Sequence, residues 1–480
     1  MSTVAVLAAK TREGAHAILA TRLLSLAATV ASIAILARLI RPEDFGVWAI
    51  AGLALGLMTI VREFGLTGAI VQARALTPHE RDGYFWASVA VSLAAAALLA
   101  LAAPLLARLY GAPLVRPVIW AGCASLVIGG LGFVHAALLR RGLEYDKLVV
   151  MEGGGMLCGL ATGIGAAFLW RDVWALVAGH IASATWMSAA ALLLHRWRPG
   201  PPSRKRGRID LSFSLQVMSY NLLTFAGNNV GMVAGYRFAA AELGLLNRAQ
   251  TLQLWGQFAL LTPLTEAGFA LLCRLKPDAT YRDAYVSLAR RVWVLFIPLA
   301  AVLPIVAGDF ILAFLGPAWA PAAPLLAWFA LAVFGQAFAS LFAQLMTSQG
   351  RGGELRRWAV ADLLLRAGGA VAGSQLGIVG LAAGFSLASF FGTVPLLLWI
   401  AGRSGPVQWR DQLGAMRPGL LLGAAACTGA AAALLGADAF ALGAGWPRLL
   451  FVGGSAALAW SLACLALQPA RDALLGRSFP

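Results

Sequence analysis

Three arginines, Arg22, Arg248 and Arg366, fall inside stretches that are otherwise almost wholly apolar. Around the second of them runs a series of amides, Asn221, Asn228, Asn229, Asn247, Gln250, Gln253 and Gln257. A guanidinium is planar and permanently charged, and its forked donors can grip a phosphate or carboxylate through two bonds at once. Amides donate and accept together, which suits them either to line a wet cavity or to tie neighbouring helices to each other. At membrane depth each charge costs about 2.5–3.5 kcal/mol, so residues of this kind need a partner or a task. His135 and His180 have no carboxylate at helical spacing and read as packed or interfacial groups. Glu152 and Asp362 sit near the starts of apolar stretches and read as solvated helix ends.

Catalytic equipment is scarce. The chain has no P-loop, no G-x-G-x-x-G after a strand, no H-E-x-x-H, no G-x-S-x-G and no Asp-x-Asp, which argues against nucleotide hydrolysis, zinc hydrolysis and metal-dependent glycosyl transfer. Five cysteines, Cys123, Cys158, Cys273, Cys427 and Cys464, lack the paired spacing of a disulfide framework or metal site and read as small buried hydrophobes. No cofactor and no metal is expected.

The elements that hold these residues follow from composition. Of 480 residues 60% are hydrophobic and 12% charged, and mean hydropathy is +0.78, which excludes an ordinary soluble domain. A spanning helix needs about 20 apolar residues, and apolar windows predict an all-α integral membrane protein of about 14 transmembrane helices. These windows lie near 15–37, 45–61, 84–107, 117–139, 148–169, 173–194, 212–235, 243–272, 292–315, 322–347, 358–377, 378–401, 413–435 and 449–467. The N-terminus lacks the pattern of a cleaved signal, so the first span is expected to direct insertion. The formal charge of +16 points to loop bias at a membrane rather than to nucleic acid. With both termini inside, 27 of the 37 Lys and Arg residues fall on the inner side, 7 on the outer side and 3 within spans. Outer loops of about a dozen residues leave no room for a catalytic site at the membrane surface, so any enzyme would have to work within the bundle.

The basic linker RWRPGPPSRKRGR, from Arg196 to Arg208, falls between the sixth and seventh windows and reads as a hinge. An internal repeat agrees with that division. Asp44-Phe45-Gly46 and Glu63-Phe64-Gly65 correspond to Glu242-Leu243-Gly244 and Glu266-Ala267-Gly268, at offsets of 198 and 203. Gly111 corresponds to Gly316 and Ala175–Gly179 to Gly380–Gly384 at an offset of 205. The ladder Gly155, Gly159, Gly163 corresponds to Gly369, Gly373, Gly377 at an offset of 214. Two six-helix lobes in parallel repeat are therefore expected, over 1–200 and 201–405, with two additional helices in 406–480.

The repeat also sorts the polar residues. Arg38 and Arg237, and Glu63 and Glu266, occur in both halves and read as structural or gating positions; the ladder glycines Gly159 and Gly373 read as close-packing surfaces. Arg22, Arg248 and Arg366 have no arginine at the corresponding position of the other half and, with the amides Asn221, Asn228, Asn229, Asn247, Gln250 and Gln253, are the candidate cavity residues. The 33 arginines against 4 lysines suit phosphate recognition, and a GC-rich genome accounts for them equally well.

The stretch LARLIRPEDFGVWAIAGLALGLMTIVREFGLTGAIVQ resembles the polysaccharide transporter family, the Wzx-like flippases and colanic-acid-type exporters. ALLRRGLEYDKL, VWALVAGHIAS, AELGLLNRAQTL and FLGPAWAPAAPLL agree with it in order and spacing, so that the resemblance extends from about Arg22 to Trp358. It departs from the family pattern at Val230, Gly231 and Leu246. The resemblance implies the multidrug/oligosaccharidyl-lipid/polysaccharide superfamily fold, with lobes around a central cavity. It implies a polyprenyl-diphosphate-linked oligosaccharide as cargo, flipped from the inner to the outer leaflet of the bacterial inner membrane. Polysaccharide polymerases and glycosyltransferases would be its working partners. A cation or drug antiporter of the same superfamily, and a membrane-embedded polymerase or ligase, are the alternatives; the first would need carboxylates deep in the cavity.

Overall fold

The computed structural model describes residues 31–63, 66, 70, 76–201, 211–256, 261, 264–265, 268–269, 272–275, 279–403 and 406–474. Among these residues every regular element is a helix, and 10 helices are long and apolar enough to cross a membrane. Following a helical segment at 31–39 come α1 (Pro42–Glu63), α2 (Pro78–Leu109), α3 (Val115–Arg141), α4 (Tyr145–Trp170) and α5 (Val173–Leu194). Next are α6 (Leu211–Ala234), α7 (Ala240–Gly256), α8 (Ala279–Phe314), α9 (Ala323–Ser348) and α10 (Gly352–Ser374). The chain ends with α11 (Gly377–Leu387), α12 (Val394–Arg403), α13 (Trp409–Ala439), α14 (Trp446–Ala466) and α15 (Gln468–Leu474). The window at 378–401 is one span built from α11, a π-helical turn over Ala388–Thr393, and α12. The helix at the window 292–315 is longer than that window, because α8 begins 13 residues earlier, at Ala279.

Local chemistry explains where the helices start and stop. Thr77 and Glu80 form a reciprocal capping box ahead of α2, with Pro78 where its missing N–H costs nothing. Asp172 caps α5 by accepting from Trp174 N–H at 3.0 Å. Gly111 and Gly316, equivalent positions in the repeat, both adopt positive φ, at 60° and 95°, which stops the preceding helix in a conformation that a side chain would strain.

The chain divides into two compact units, Met1–Phe225 with Tyr236–Gly244, and Ala226–Gly235 with Leu245–Pro480. In the first, α4 and α5 cross so closely that a methyl on Gly159 would lie 2.8 Å from Ser183 Cβ and 2.9 Å from the Gly179 oxygen. The same unit contains a symmetric contact between repeat equivalents. A methyl on Gly46 of α1 would collide with the Ala240 carbonyl oxygen, and one on Gly244 of α7 with the Pro42 carbonyl oxygen. Pro42 and Ala240 are themselves separated by the offset of 198 that relates the two glycines.

The second unit is centred on buried aromatic residues. The Trp293 ring lies 5.1 Å from Phe334 and 4.9 Å from Phe338, joining α8 to α9. α13 packs on α8 where Gly419 meets the Trp293 carbonyl, and Arg282 pairs with Asp411 at 2.5 Å near the ends of the same two helices. α10 and α11 meet through Gly369, Gly373, Gly380 and Gly384, each of which faces the backbone of the other helix. At the opposite end of the unit Arg448 bridges Asp438 at 2.8 Å and Asp309 at 3.6 Å, while Asp309 also accepts from Gly445 N–H.

Candidate functional site

The first unit holds a half-open cavity of about 300 Å3 among α1, α3, α4 and α5, with polar groups set in a mostly apolar lining. Its lining includes Arg62, Glu63, Ser125, Arg140, His180 and Ser188. Thr59, Arg62 and Glu63 are spaced so that the last turns of α1 present them to one side. Arg62 is half-buried, its guanidinium 5.9 Å from the Phe133 ring centroid and its Nη1 3.4 Å from the Leu126 carbonyl oxygen. It fits because Gly129 opposite has no side chain; any Cβ there would meet Nη1.

Deeper in the cavity Ser125 Oγ lies 3.0 Å from His180 Nε2 and donates to the Gly122 carbonyl at 2.7 Å. The His180 ring meets Trp48 edge-on at 5.2 Å. Ser188 is turned back on the Ile128 carbonyl at 2.7 Å. Arg140 is paired with Glu152 at 2.9 Å, so its charge is offset, whereas the short contact to Arg62 is a weak carbonyl bond. The cavity thus sets the weakly bonded Arg62 guanidinium, the cation an anionic group would meet, beside the Glu63 carboxylate, the His180 ring and two hydroxyls that already donate to backbone carbonyls.

Few of these residues stood out in the sequence. Arg62 ends an apolar window and counted as a loop residue, and Ser125 and Ser188 carried no signal. The signal that could have found them is the run of small residues, Gly122, Gly129 and Gly132, on the helix facing α1. His180 lines the cavity rather than packing away from it, whereas His135 is fully buried among aromatic residues and bonds the Trp197 carbonyl at 3.1 Å. Glu63, read as a structural or gating position, is exposed to the cavity. Glu152, read as a solvated end, is exposed near the start of α4 and there pairs with Arg140.

The second unit holds the amide series except for Asn221, which belongs to the first. Gln250 Nε2 donates to the Asn228 carbonyl oxygen, and Gln253, 3% exposed, donates to Gln336 Oε1 at 2.6 Å. Both glutamines thus tie helices within the unit. Asn228, Asn229 and Asn247 are half-buried and Asn221 is exposed. Arg248 is half-buried and its Nη2 lies 3.4 Å from Asn247 Oδ1. Arg366 is 4% exposed and donates from Nε to Asp362 at 2.8 Å, and Thr393 donates to the same carboxylate oxygen at 2.6 Å. Asp362 is therefore a buried partner and not a solvated end. Arg38 and Arg237 are both exposed. Arg22, Gln257 and Glu266 lie outside the described residues. Among the described residues no group of three or more His, Cys, Asp or Glu side chains is placed to hold a metal.

Residues 35–324 match the family described as "Polysaccharide biosynthesis protein". The chain belongs to that family. The matched region includes every helix that lines the first unit's cavity and also Arg248, and it stops short of α10 and Arg366. Among curated family relatives, the chain is 21% identical to "Lipopolysaccharide biosynthesis protein WzxC" of Escherichia coli (strain K12), covering 75% of this chain and 74% of that one. It is 27% identical to "Succinoglycan biosynthesis transport protein ExoT" of Rhizobium meliloti (strain 1021), over 72% and 71% of the two chains. Among solved structures it resembles a "Lipid II flippase MurJ, inward closed conformation" at TM-score 0.67 and 12% identity, over 93% of this chain and 97% of that one. An inward-facing multidrug resistance MATE family transporter matches at TM-score 0.60 and 16% identity, over 82% and 95%. The all-α integral membrane fold expected from the sequence is thus the fold of these transporters.

Proposed function

We propose that this family member is a flippase that moves a polyprenyl-diphosphate-linked oligosaccharide from the inner to the outer leaflet of the bacterial inner membrane, without a catalytic step. The observation that carries the reading is the family match over 35–324, which coincides with the helices around the Arg62 cavity. The names of the relatives, a lipopolysaccharide biosynthesis protein and a succinoglycan transport protein, support it. Residues 1–200 and 201–405 act as two lobes, with 406–480 added to the second, and rocking of the lobes alternates access. In the first unit the guanidinium of Arg62 neutralises the diphosphate and Ser125 and His180 meet sugar hydroxyls; in the second, Arg248 is a separate candidate contact for the cargo. A diphosphate leaving an inside-negative cell gains about 2.3 kcal/mol per charge per 100 mV, so outward movement needs no nucleotide site. Polysaccharide polymerases and glycosyltransferases consume and supply the cargo.

Both termini are placed in the cytoplasm by the distribution of basic residues. Single cysteines at the exposed Pro113 and Asp146 should then label from opposite faces of the membrane, and labelling of both from outside intact cells refutes this topology.

The substrate role of the arginines has its own test. Arg62→Ala and Arg248→Ala each lower surface polysaccharide at least tenfold at matched membrane protein levels. The two Lys variants recover only part of it, because Lys keeps the charge and loses the fork. Full function with Lys at either position assigns that residue to anchoring at headgroups, and full function with Ala removes it from the site.

A further inference from the structure

The second unit carries a groove of about 610 Å3 that the proposed cavity does not use, lined by Glu354, Arg357, Trp358, Ala361, Leu396, Trp399 and Ile400. It lies where the first turns of α10 pass α12, on the side where Arg351, Arg356 and Arg357 cluster and where the basic-residue count places the cytoplasm. Its lining combines the exposed Arg357, one turn beyond Glu354 on α10, with the apolar Ala361, Leu396 and Ile400 and two tryptophans.

Glu354 does not cancel the arginine, because both its oxygens are engaged by Arg351, at 2.9 and 2.5 Å. Arg351 holds the Glu354 carboxyl below its usual range through these bonds, so it is a carboxylate at neutral pH and the local pair is closed. The net charge offered by this stretch is therefore positive.

Trp358 supplies a second, independent observation. It is 8% exposed, packs on Phe342 with ring centroids 5.6 Å apart, and its indole N–H has no acceptor among the described residues. An indole N–H at a membrane surface ordinarily finds an acceptor, and a buried donor left without one is costly. Trp358, which carries this unpartnered donor, is among the residues that line the groove. Trp399, by contrast, is 57% exposed, as expected of an interfacial aromatic belt.

We propose that this groove is the inner-leaflet entry site for the lipid carrier of the cargo, with Arg357 and the Trp358 N–H receiving the diphosphate oxygens and the proximal isoprene units lying against Leu396, Ile400 and Trp399. The proposal rests on the flippase reading above. A carrier is favoured over bulk phospholipid because the donor is built into one buried position rather than spread along an exposed belt. The site is also one-sided: at the offset of 214 that relates the glycine ladders, Arg357 and Trp358 correspond to Leu143 and Glu144. A feature needed only to seat the protein in lipid would not require such asymmetry.

The test uses the full-length protein in phosphatidylcholine nanodiscs and a polyprenyl diphosphate bearing a photoactivatable group on its second isoprene unit, with cross-links mapped by mass spectrometry. Cross-links are expected in α10 and α12 beside the groove. Arg357→Gln and Trp358→Phe should each reduce them at least fivefold, the Phe variant keeping the ring that packs on Phe342. A hundredfold excess of phosphatidylglycerol should leave them in place. Displacement by phosphatidylglycerol makes the groove an anionic phospholipid site and overturns the proposal, as does labelling that is indifferent to both variants. Labelling confined to other helices overturns the entry site and leaves the flippase reading standing; no specific labelling anywhere defeats both.

Discussion

Asp362→Ala destabilises the purified protein by about 3–5 kcal/mol, the cost of leaving a buried charge without its partner. Arg366 is 4% exposed, and the substitution removes its carboxylate at 2.8 Å together with the acceptor that Thr393 uses at 2.6 Å. The Phe385 face, 5.6 Å from the guanidinium, does not replace an ion pair. Replacing both partners with apolar residues of similar size, Asp362→Leu with Arg366→Met, should recover most of the lost stability, since the desolvation cost disappears along with the attraction. Thermal unfolding in detergent measures both effects. The double variant also decides what Arg366 is for. Its geometry is that of an architectural pair, so the double variant should still support surface polysaccharide; a stable but inactive protein would return Arg366 to the substrate path. An Asp362→Ala protein that melts like the wild type would show that the ion pair contributes nothing.

Gly373→Leu prevents the protein from accumulating in the membrane. Even the first carbon of the new side chain would collide with the Gly380 carbonyl oxygen, and the second face of the contact is backbone too, so nothing can swing aside. Overpacking of a tight site costs about 1–3 kcal/mol when side chains can yield, and here the helices themselves must part. Gly159→Leu should be milder, because one of its neighbours is the side chain of Ser183 at 2.8 Å. Gly165 is the control on the same helix as Gly159: nothing lies within 4 Å of it, so Gly165→Ala should leave expression unchanged or raise it through better helix propensity. Quantitative immunoblots of membranes, with melting of whatever is recovered, separate the three. Equal expression of all of them would mean that the glycine ladder reflects composition only.

The fold was legible because membrane spans declare themselves by length and apolarity. The repeat was legible where it controls backbone. Gly111 and Gly316 share positive φ, and Gly46 and Gly244 meet the carbonyls of each other's helices at symmetric positions. Less legible was what a polar residue does once it is inside. Gln250 and Gln253 look in sequence like cavity amides, but each finds a partner on another helix. Asp362 and Arg366 are four apart on one helix, a spacing that predicts a pair, yet the third member, Thr393, comes from a π-helical turn with no local signature. Arg62 went unnoticed for the opposite reason. A cavity is made by what is absent, and the glycine opposite it on α3 reads as one more small residue in a chain with 53 glycines.

The central claim, that the chain translocates a lipid-linked glycan, is tested most directly with purified protein in sealed vesicles. A polyprenyl-diphosphate-linked oligosaccharide is incorporated in the lumenal leaflet at the start, and its arrival at the outer surface is followed by accessibility to a membrane-impermeant lectin or glycosidase. The account predicts protein-dependent arrival without ATP, faster when a potassium diffusion potential makes the starting side negative, and at least tenfold slower with Arg62→Ala. Vesicles in which the glycan stays on its starting leaflet at the protein-free rate, while the same preparation transports cationic dyes, would contradict it.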